Sequence, residues 1–232
     1  MQQSVPKIYS GLSYYILKLL AVLVFAFFTY RAFNATLSSF RNGEAYFLNI
    51  LFFIGELVTL IIILFSRTPK DATVTFKTSF FTFGGTYYMV LIQFVGEDNW
   101  LTKLFPSLAG SFRQTYPLIS SELAATLLII GVIWAITAKV YLGRSFGLLP
   151  ANRGIVNTGP YRYFRHPIYF GYLIGHIGFL LGSFSYWNLF ILTVTYIFQC
   201  FRIIEEEKVL CRDEEYRVYT KEVRYRLFPF IF

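Results

Sequence analysis

The sequence predicts an all-α protein, a polytopic transmembrane helix bundle, and three observations carry that reading. Of its 232 residues, 56% are hydrophobic and only 15% are charged, whereas a soluble domain usually carries about 25% charged residues. Several windows hold the roughly 20 mostly apolar residues that a spanning helix needs. The charged residues flank these windows far more often than they interrupt them.

Six membrane segments follow in order, at residues 12–30, 45–66, 78–95, 118–138, 168–181 and 187–201. The first has Lys18 near its end, able to snorkel to the interface, and reads as a retained anchor without a small-residue cleavage site. The second contains Glu56, assigned to a structural bond with a neighbouring helix or to an edge position. The third is aromatic and holds Gly84-Gly85, the weakest of the six. The fifth and sixth are joined by Gly182-Ser-Phe-Ser-Tyr186 and are short for a full span. They either cross by tilting or form a re-entrant hairpin. Beyond Arg202 the chain is charged and amphipathic, with Glu206, Leu210, Asp213 and Arg217 at helical spacing. A helix to about Val223 follows.

The net charge of +8 suits the positive-inside bias and the anionic headgroups of membrane lipids. Nucleic acid is a poor partner for basic residues that flank apolar runs. Cys200 and Cys211 make neither a disulfide framework nor a metal signature, so no metal is expected. Lys and Arg in the loops after the second and fourth segments, Arg67, Lys70 and Lys77 and then Arg144, Arg153, Arg162 and Arg165, place these loops on one side. That side is expected to be cytoplasmic.

Two polar clusters bracket the last hairpin. The first is Thr158-Gly-Pro-Tyr-Arg-Tyr-Phe-Arg-His-Pro-Ile-Tyr169, and a run free of Asp, Glu, Lys and Arg follows it to Phe201. Pro167 pushes His166 out of helical geometry and suits the first turn of a helix. His166 thus stands where free backbone N–H groups and the helix dipole favour an anion, beside the fork of Arg165. The second cluster is Arg202-Ile-Ile-Glu-Glu-Glu-Lys-Val-Leu210. Arg202 and Glu206 lie four apart, on one helix face where they can pair, and three glutamates directly after an apolar run oppose the usual basic flank. Each cluster alone also fits topogenic or solvated charge. Together they put an anion site and a cation site in one pocket, a pattern that suits amino acid-like ligands.

From Leu142 onward the chain resembles the isoprenylcysteine carboxyl methyltransferase family of integral membrane enzymes. The resemblance rests on Arg153-Gly-Ile-Val156, Gly159-Pro-Tyr161, Arg165-His-Pro-Ile-Tyr169, Arg202, Glu206-Glu-Lys-Val-Leu210, and a closing Glu215-Tyr, Tyr219, Val223 and Leu227-Phe-Pro229. It implies two parts: membrane helices over residues 1–141, and a methyltransferase-like part over 142–232, whose cofactor pocket faces the cytoplasm. It implies S-adenosylmethionine as methyl donor. The resemblance assigns Arg153, Gly154, Ile155, Val156, Tyr161, Arg165, His166, Pro167, Ile168, Tyr169, Glu206 and Glu207 to the cofactor. It assigns Arg202 to the methyl acceptor. That acceptor is expected to be amphiphilic or lipid-like, with the carboxylate of a prenylated cysteine as one candidate. Ile168 and Arg153 depart from residues common in the family, which leaves the acceptor open.

Methyl transfer from a sulfonium needs alignment and exclusion of water. A carboxylate acceptor would be oriented by Arg202 without a base, and an amine or thiol would call on Glu206 or Glu207. One rival reading is a sterol-reductase-type enzyme using NADPH, which shares the His-Pro-x-Tyr element and the closing Tyr-Arg-Leu-Phe-Pro. Another is a transporter or channel subunit, disfavoured by the lack of a repeat and of a second intramembrane charge near Glu56.

Overall fold

The computed structural model describes residues 12–43, 46–72, 77–80, 82, 84–86 and 114–227. The helices are α1 (Leu12–Arg41), α2 (Phe47–Leu64), α3 (Ser121–Leu142), α4 (Pro167–Gly182), α5 (Tyr186–Leu210) and α6 (Glu214–Glu222). Among the described residues, α1, α2, α3 and α5 are long and apolar enough to cross a membrane, and α4 is a shorter apolar helix. Most of the expected third segment lies outside the described residues. Its described part, residues 77–80, 82 and 84–86, is helical. It packs on α5 through an edge-on Phe80–Phe198 pair and a bond from Gln199 Nε2 to the Gly85 carbonyl at 3.0 Å.

α1 continues eleven residues past the expected end at Tyr30. Residues 31–41 contain neither Gly nor Pro, so nothing halts the backbone ladder when the hydropathy falls. The helix stops before Gly43, whose φ of 68° turns the chain into the left-handed region. α2 returns antiparallel, and Lys18 Nζ, near the start of α1, donates to the Ser66 carbonyl past the end of α2. Lys18 therefore sits at the polar end of the bundle.

α3 starts on a Ser120 cap and ends at Gly143, with φ 51°. α4 lies against it so closely that only small residues fit. A Cβ on Gly131 would stand 2.3 Å from the backbone nitrogen of Gly175 and 2.6 Å from the carbonyl of Gly171. Gly178 meets the α3 backbone at Ala124 in the same way. Such contact between small residues lets dispersion act where lipid leaves no hydrophobic driving force.

Residues 116–118 pair with the α4–α5 turn, through Tyr116 with Phe184 and Leu118 N with the Leu181 carbonyl at 2.8 Å. That turn therefore stands level with the start of α3. The 16 residues of α4, about 24 Å, run the height of the bundle beside α3. The short fifth and sixth segments thus form an antiparallel hairpin beside α3.

The expected helix from Arg202 to Val223 is two helices. α5 carries straight through Arg202 to Leu210. The chain then breaks, and Asp213 caps α6 by accepting from Glu215 N at 3.0 Å. At the polar end, β1 (Asp71–Ala72) pairs antiparallel with β2 (Ala151–Asn152). Arg67 N donates to the Arg144 carbonyl at 2.8 Å, and Arg144 Nε donates to the Phe65 carbonyl at 3.0 Å. The loops after α2 and α3 are thereby fastened to one another on one side, the side on which the basic residues were expected to meet.

Candidate active site

Both polar clusters arrive at this end. α4 starts there after the 159–162 turn, and α5 ends there. A cavity of about 320 Å³ lies between them. Eleven of the thirteen residues singled out in the sequence line it: Arg153, Gly154, Ile155, Val156, Tyr161, Arg165, His166, Ile168, Tyr169, Arg202 and Glu206. Pro167 and Glu207 do not. Pro167 is packed behind the wall, and its carbonyl accepts from Trp134 Nε1 at 3.0 Å. Glu207 turns away into an ionic lock.

That lock explains the loop geometry. Glu207 Oε1 lies 2.9 Å from Arg165 Nε and 3.2 Å from His166 Nε2, and it accepts from the Tyr216 hydroxyl at 3.4 Å. Its Oε2 accepts from Arg226 Nε at 2.7 Å. A buried carboxylate is tolerated only with such company. Just before the start of α4, where an anion was expected, the backbone N–H groups of Arg165 and His166 are bonded at 3.0 and 2.9 Å to the carbonyls of Tyr225 and Arg226. The closing strap of the chain takes them first. His166 keeps its place on the wall, but its ring is committed to Glu207.

Glu206, one residue earlier, faces the cavity. A step of one residue rotates a side chain by about 100° on a helix, so neighbours on α5 meet different surroundings. Its Oε2 accepts from the Tyr169 hydroxyl at 3.4 Å. The expected i, i+4 pair with Arg202 is not made. Arg202 donates from Nη2 to the Leu148 carbonyl at 2.9 Å and from Nη1 to Thr86 Oγ1 at 3.2 Å, above the Tyr169 ring. Its Nε is buried and without a hydrogen-bond partner among the described residues. The Tyr161 hydroxyl is likewise buried and unpartnered.

Asn152 is the residue the sequence did not mark. Its carbonyl accepts from Lys70 N at 2.7 Å, its Oδ1 accepts from Gly154 N at 2.9 Å, and its Nδ2 donates to Asp213 at 2.6 Å. It joins β1, the Gly154 turn and the α6 cap. Gly154 has φ 104°, a conformation that only glycine adopts freely. This turn presents the 153–156 backbone to the cavity. Asp213, bonded to Asn152 and to backbone, has its carboxyl held below the usual range. Burial pushes the phenols of Tyr161, Tyr216 and Tyr219 well upward, helped for Tyr161 by the charge of Glu206 and for Tyr216 and Tyr219 by that of Glu207. All three therefore stay protonated as hydrogen-bond donors. The Tyr219 hydroxyl uses its proton on the Tyr161 carbonyl at 2.7 Å.

The cavity does not stop at the polar end. It extends into the bundle past Thr59 and Lys139 to Glu56 and His176. Lys139 stands one residue beyond the expected end of the fourth segment, but α3 carries on and buries it against α2, 5% exposed. The expectation that no second intramembrane charge lies near Glu56 is therefore overturned, because Lys139 Nζ bonds Thr59, three residues along α2 from Glu56. Glu56, half-buried, has its Oε2 buried without a hydrogen-bond partner among the described residues. His176 shares a 2.9 Å bond with the Tyr196 hydroxyl and also lines the cavity.

Comparison with known proteins finds a similarity over part of the chain. Residues 119–215 match the phospholipid methyltransferase family model, from just before α3 into the first turn of α6. No curated protein matches the chain. Among solved structures, that of the eukaryotic intramembrane Ras methyltransferase, isoprenylcysteine carboxyl methyltransferase, is similar at 19% sequence identity with a TM-score of 0.41. That likeness covers 92% of this chain and 93% of the other.

Proposed function

We propose that the protein transfers a methyl group from S-adenosylmethionine to a lipid-like acceptor, in a pocket on the cytoplasmic side. One observation carries this reading: a single cavity joins the polar end, where the two charged clusters meet, to the interior of the membrane bundle. A water-soluble donor and an amphiphilic acceptor could meet only in such a space.

The residues present suit the donor. The Tyr161 hydroxyl is an orphaned buried donor on the wall, Glu206 holds one long contact, and the Gly154 turn exposes backbone. Glu206 would take the ammonium, and residues 153–156 with Tyr161 would take the nucleoside and amino acid parts. His166, Ile168 and Tyr169 would form the facing wall, with Pro167 and Glu207 supporting it from behind. Bound S-adenosylmethionine supplies an electrophilic methyl on its sulfonium and its own leaving group. The chain's part is to align the acceptor and keep water out. Arg202 suits that task, fixed by the Leu148 carbonyl and Thr86 with Nε unengaged. A prenylcysteine carboxylate is one acceptor it would orient, without any base. For an amine or thiol, Glu206 is the carboxylate within the cavity at the polar end.

The test is calorimetric titration of the purified protein with S-adenosylmethionine, followed by transfer of labelled methyl to prenylcysteine, phospholipid amine and hydrophobic thiol acceptors. Binding of about −8 kcal/mol, micromolar, and labelling of one amphiphile are expected. Absence of binding by folded protein, or binding of NADPH in its place, would overturn the reading.

A further inference from the structure

Among the helices the cavity wall is mostly apolar, with Phe25, Phe52, Leu128, Val132 and Ile136, but polar groups on three helices interrupt it. Glu56 and Thr59 come from α2, Lys139 from α3, and Tyr172 and His176 from α4. Glu56 is eight residues before the end of α2, about 12 Å below the polar end. Lys139 Nζ does not neutralise it by contact, since it donates to Thr59 Oγ1 at 2.6 Å and lies 5.4 Å from the centre of the Tyr172 ring. No ion pair joins Glu56 to Lys139 among the described residues. Among the described residues Glu56 Oε2 has no donor, in a place where water is scarce and a carboxylate is costly. An acyl or prenyl tail would suit the apolar wall but would leave these polar groups unmet. This inner arm of the cavity offers an open hydrogen-bond acceptor, with a fixed cation nearby.

We infer that Glu56 is the recognition residue for the acceptor's headgroup, and that this headgroup carries a hydrogen-bond donor, an amine or a hydroxyl. The inference rests on the methyltransferase reading and adds the class of acceptor. Glu56 accepts the donor, while Lys139, held by Thr59 and Tyr172, keeps the site from being purely anionic. The recognised donor group of the headgroup enters the inner arm, while the group to be methylated stays beside Arg202 and the donor cofactor at the polar end. An acceptor whose only polar group is a carboxylate gains nothing from Glu56. Selection then follows from leaving a buried acceptor unpaired when the wrong headgroup enters.

The experiment uses the full-length protein in nanodiscs and radiolabelled octylamine, octan-1-ol and methyl octyl ether, with binding to empty discs subtracted. S-Adenosylmethionine binding is measured alongside. Wild type should hold the amine and the alcohol about tenfold more tightly than the ether, the effect of one charge-assisted hydrogen bond. Glu56→Leu should erase that preference. Glu56→Gln keeps an acceptor oxygen without the charge, so it should keep the alcohol and lose the advantage of the amine. None of these variants should change S-adenosylmethionine affinity. Lack of preference in the wild type, or a preference that survives in Glu56→Leu, overturns the inference. If the Leu variant does not fold, a Gln variant with an undiminished amine advantage overturns it as well. A purely structural Glu56 would shift thermal stability and leave headgroup preference alone. Failure of the wild type to bind S-adenosylmethionine is a separate result, and it sinks the methyltransferase reading instead.

Discussion

Glu207 sits among Arg165, His166, Arg226 and the Tyr216 hydroxyl, whereas Glu206, the residue before it on the same helix, faces the cavity with one long contact to Tyr169. The two differ by one step of helical rotation. The lock around Glu207 joins α4, α5, α6 and the closing strap, and nearly all of its polar groups are spoken for. The cavity wall keeps groups that have no hydrogen-bond partner among the described residues: the Tyr161 hydroxyl, Arg202 Nε and, deeper, Glu56 Oε2. A buried polar group without a partner costs about 1–3 kcal/mol. A concentration of them on one cavity, beside a network that leaves few, separates what holds the fold from what waits for a ligand.

The sharpest way to break this comparison is Glu207→Ala. The substitution leaves Arg165 and His166 buried and facing each other without their shared anion, which should cost about 3–5 kcal/mol. Thermal unfolding in detergent should show a large drop, with Glu206→Gln close to wild type as the control. If both variants melt alike, the division between lock and wall is wrong. His166→Ala should lie between them, because its ring bonds Glu207 while also standing on the cavity wall.

Arg202→Ala comes next. Methyl transfer should fall roughly tenfold to a hundredfold in kcat/KM through loss of acceptor alignment, with S-adenosylmethionine affinity held within a few-fold. Arg202 also ties the Leu148 loop and Thr86, so some loss of stability accompanies it. Cofactor affinity that declines in step with turnover would make Arg202 a wall residue rather than an acceptor-positioning one.

The smallest effect is expected of Tyr161→Phe. Removing an orphaned hydroxyl leaves no partner stranded, so the melting temperature should hold or rise slightly. S-Adenosylmethionine binding should weaken by about 0.5–1.5 kcal/mol. A lower melting temperature with unchanged binding would show the hydroxyl to be structural.

The motif residues were legible in the chain because their chemistry is local: a Gly-Pro turn, a His-Pro helix start, glutamates after an apolar run. Eleven of the thirteen named residues do share one cavity. Glu207 could not be told from Glu206, since a string of three glutamates carries no rotational phase. Lys139 was missed because hydropathy ends at Ala138, while the α3 hydrogen-bond ladder continues to Leu142 and α2 supplies the burial. The break at Asp213 was missed because helical spacing persists across it. Asn152 carried no signal at all: its partners come from positions 70, 154 and 213.

By itself, the sequence determined that the chain is a membrane helix bundle, where its apolar segments fall, and that two charged clusters meet at one end. Those properties follow from hydropathy and helical period, which act within a few turns of the chain. Only the tertiary structure decided which carboxylate is locked and which is open. It also decided that the strap carbonyls take the Arg165 and His166 amides, and that the cavity reaches Glu56. These depend on the rotation of each helix about its axis and on how closely its glycines let a neighbour approach, and contacts between residues of different helices set both.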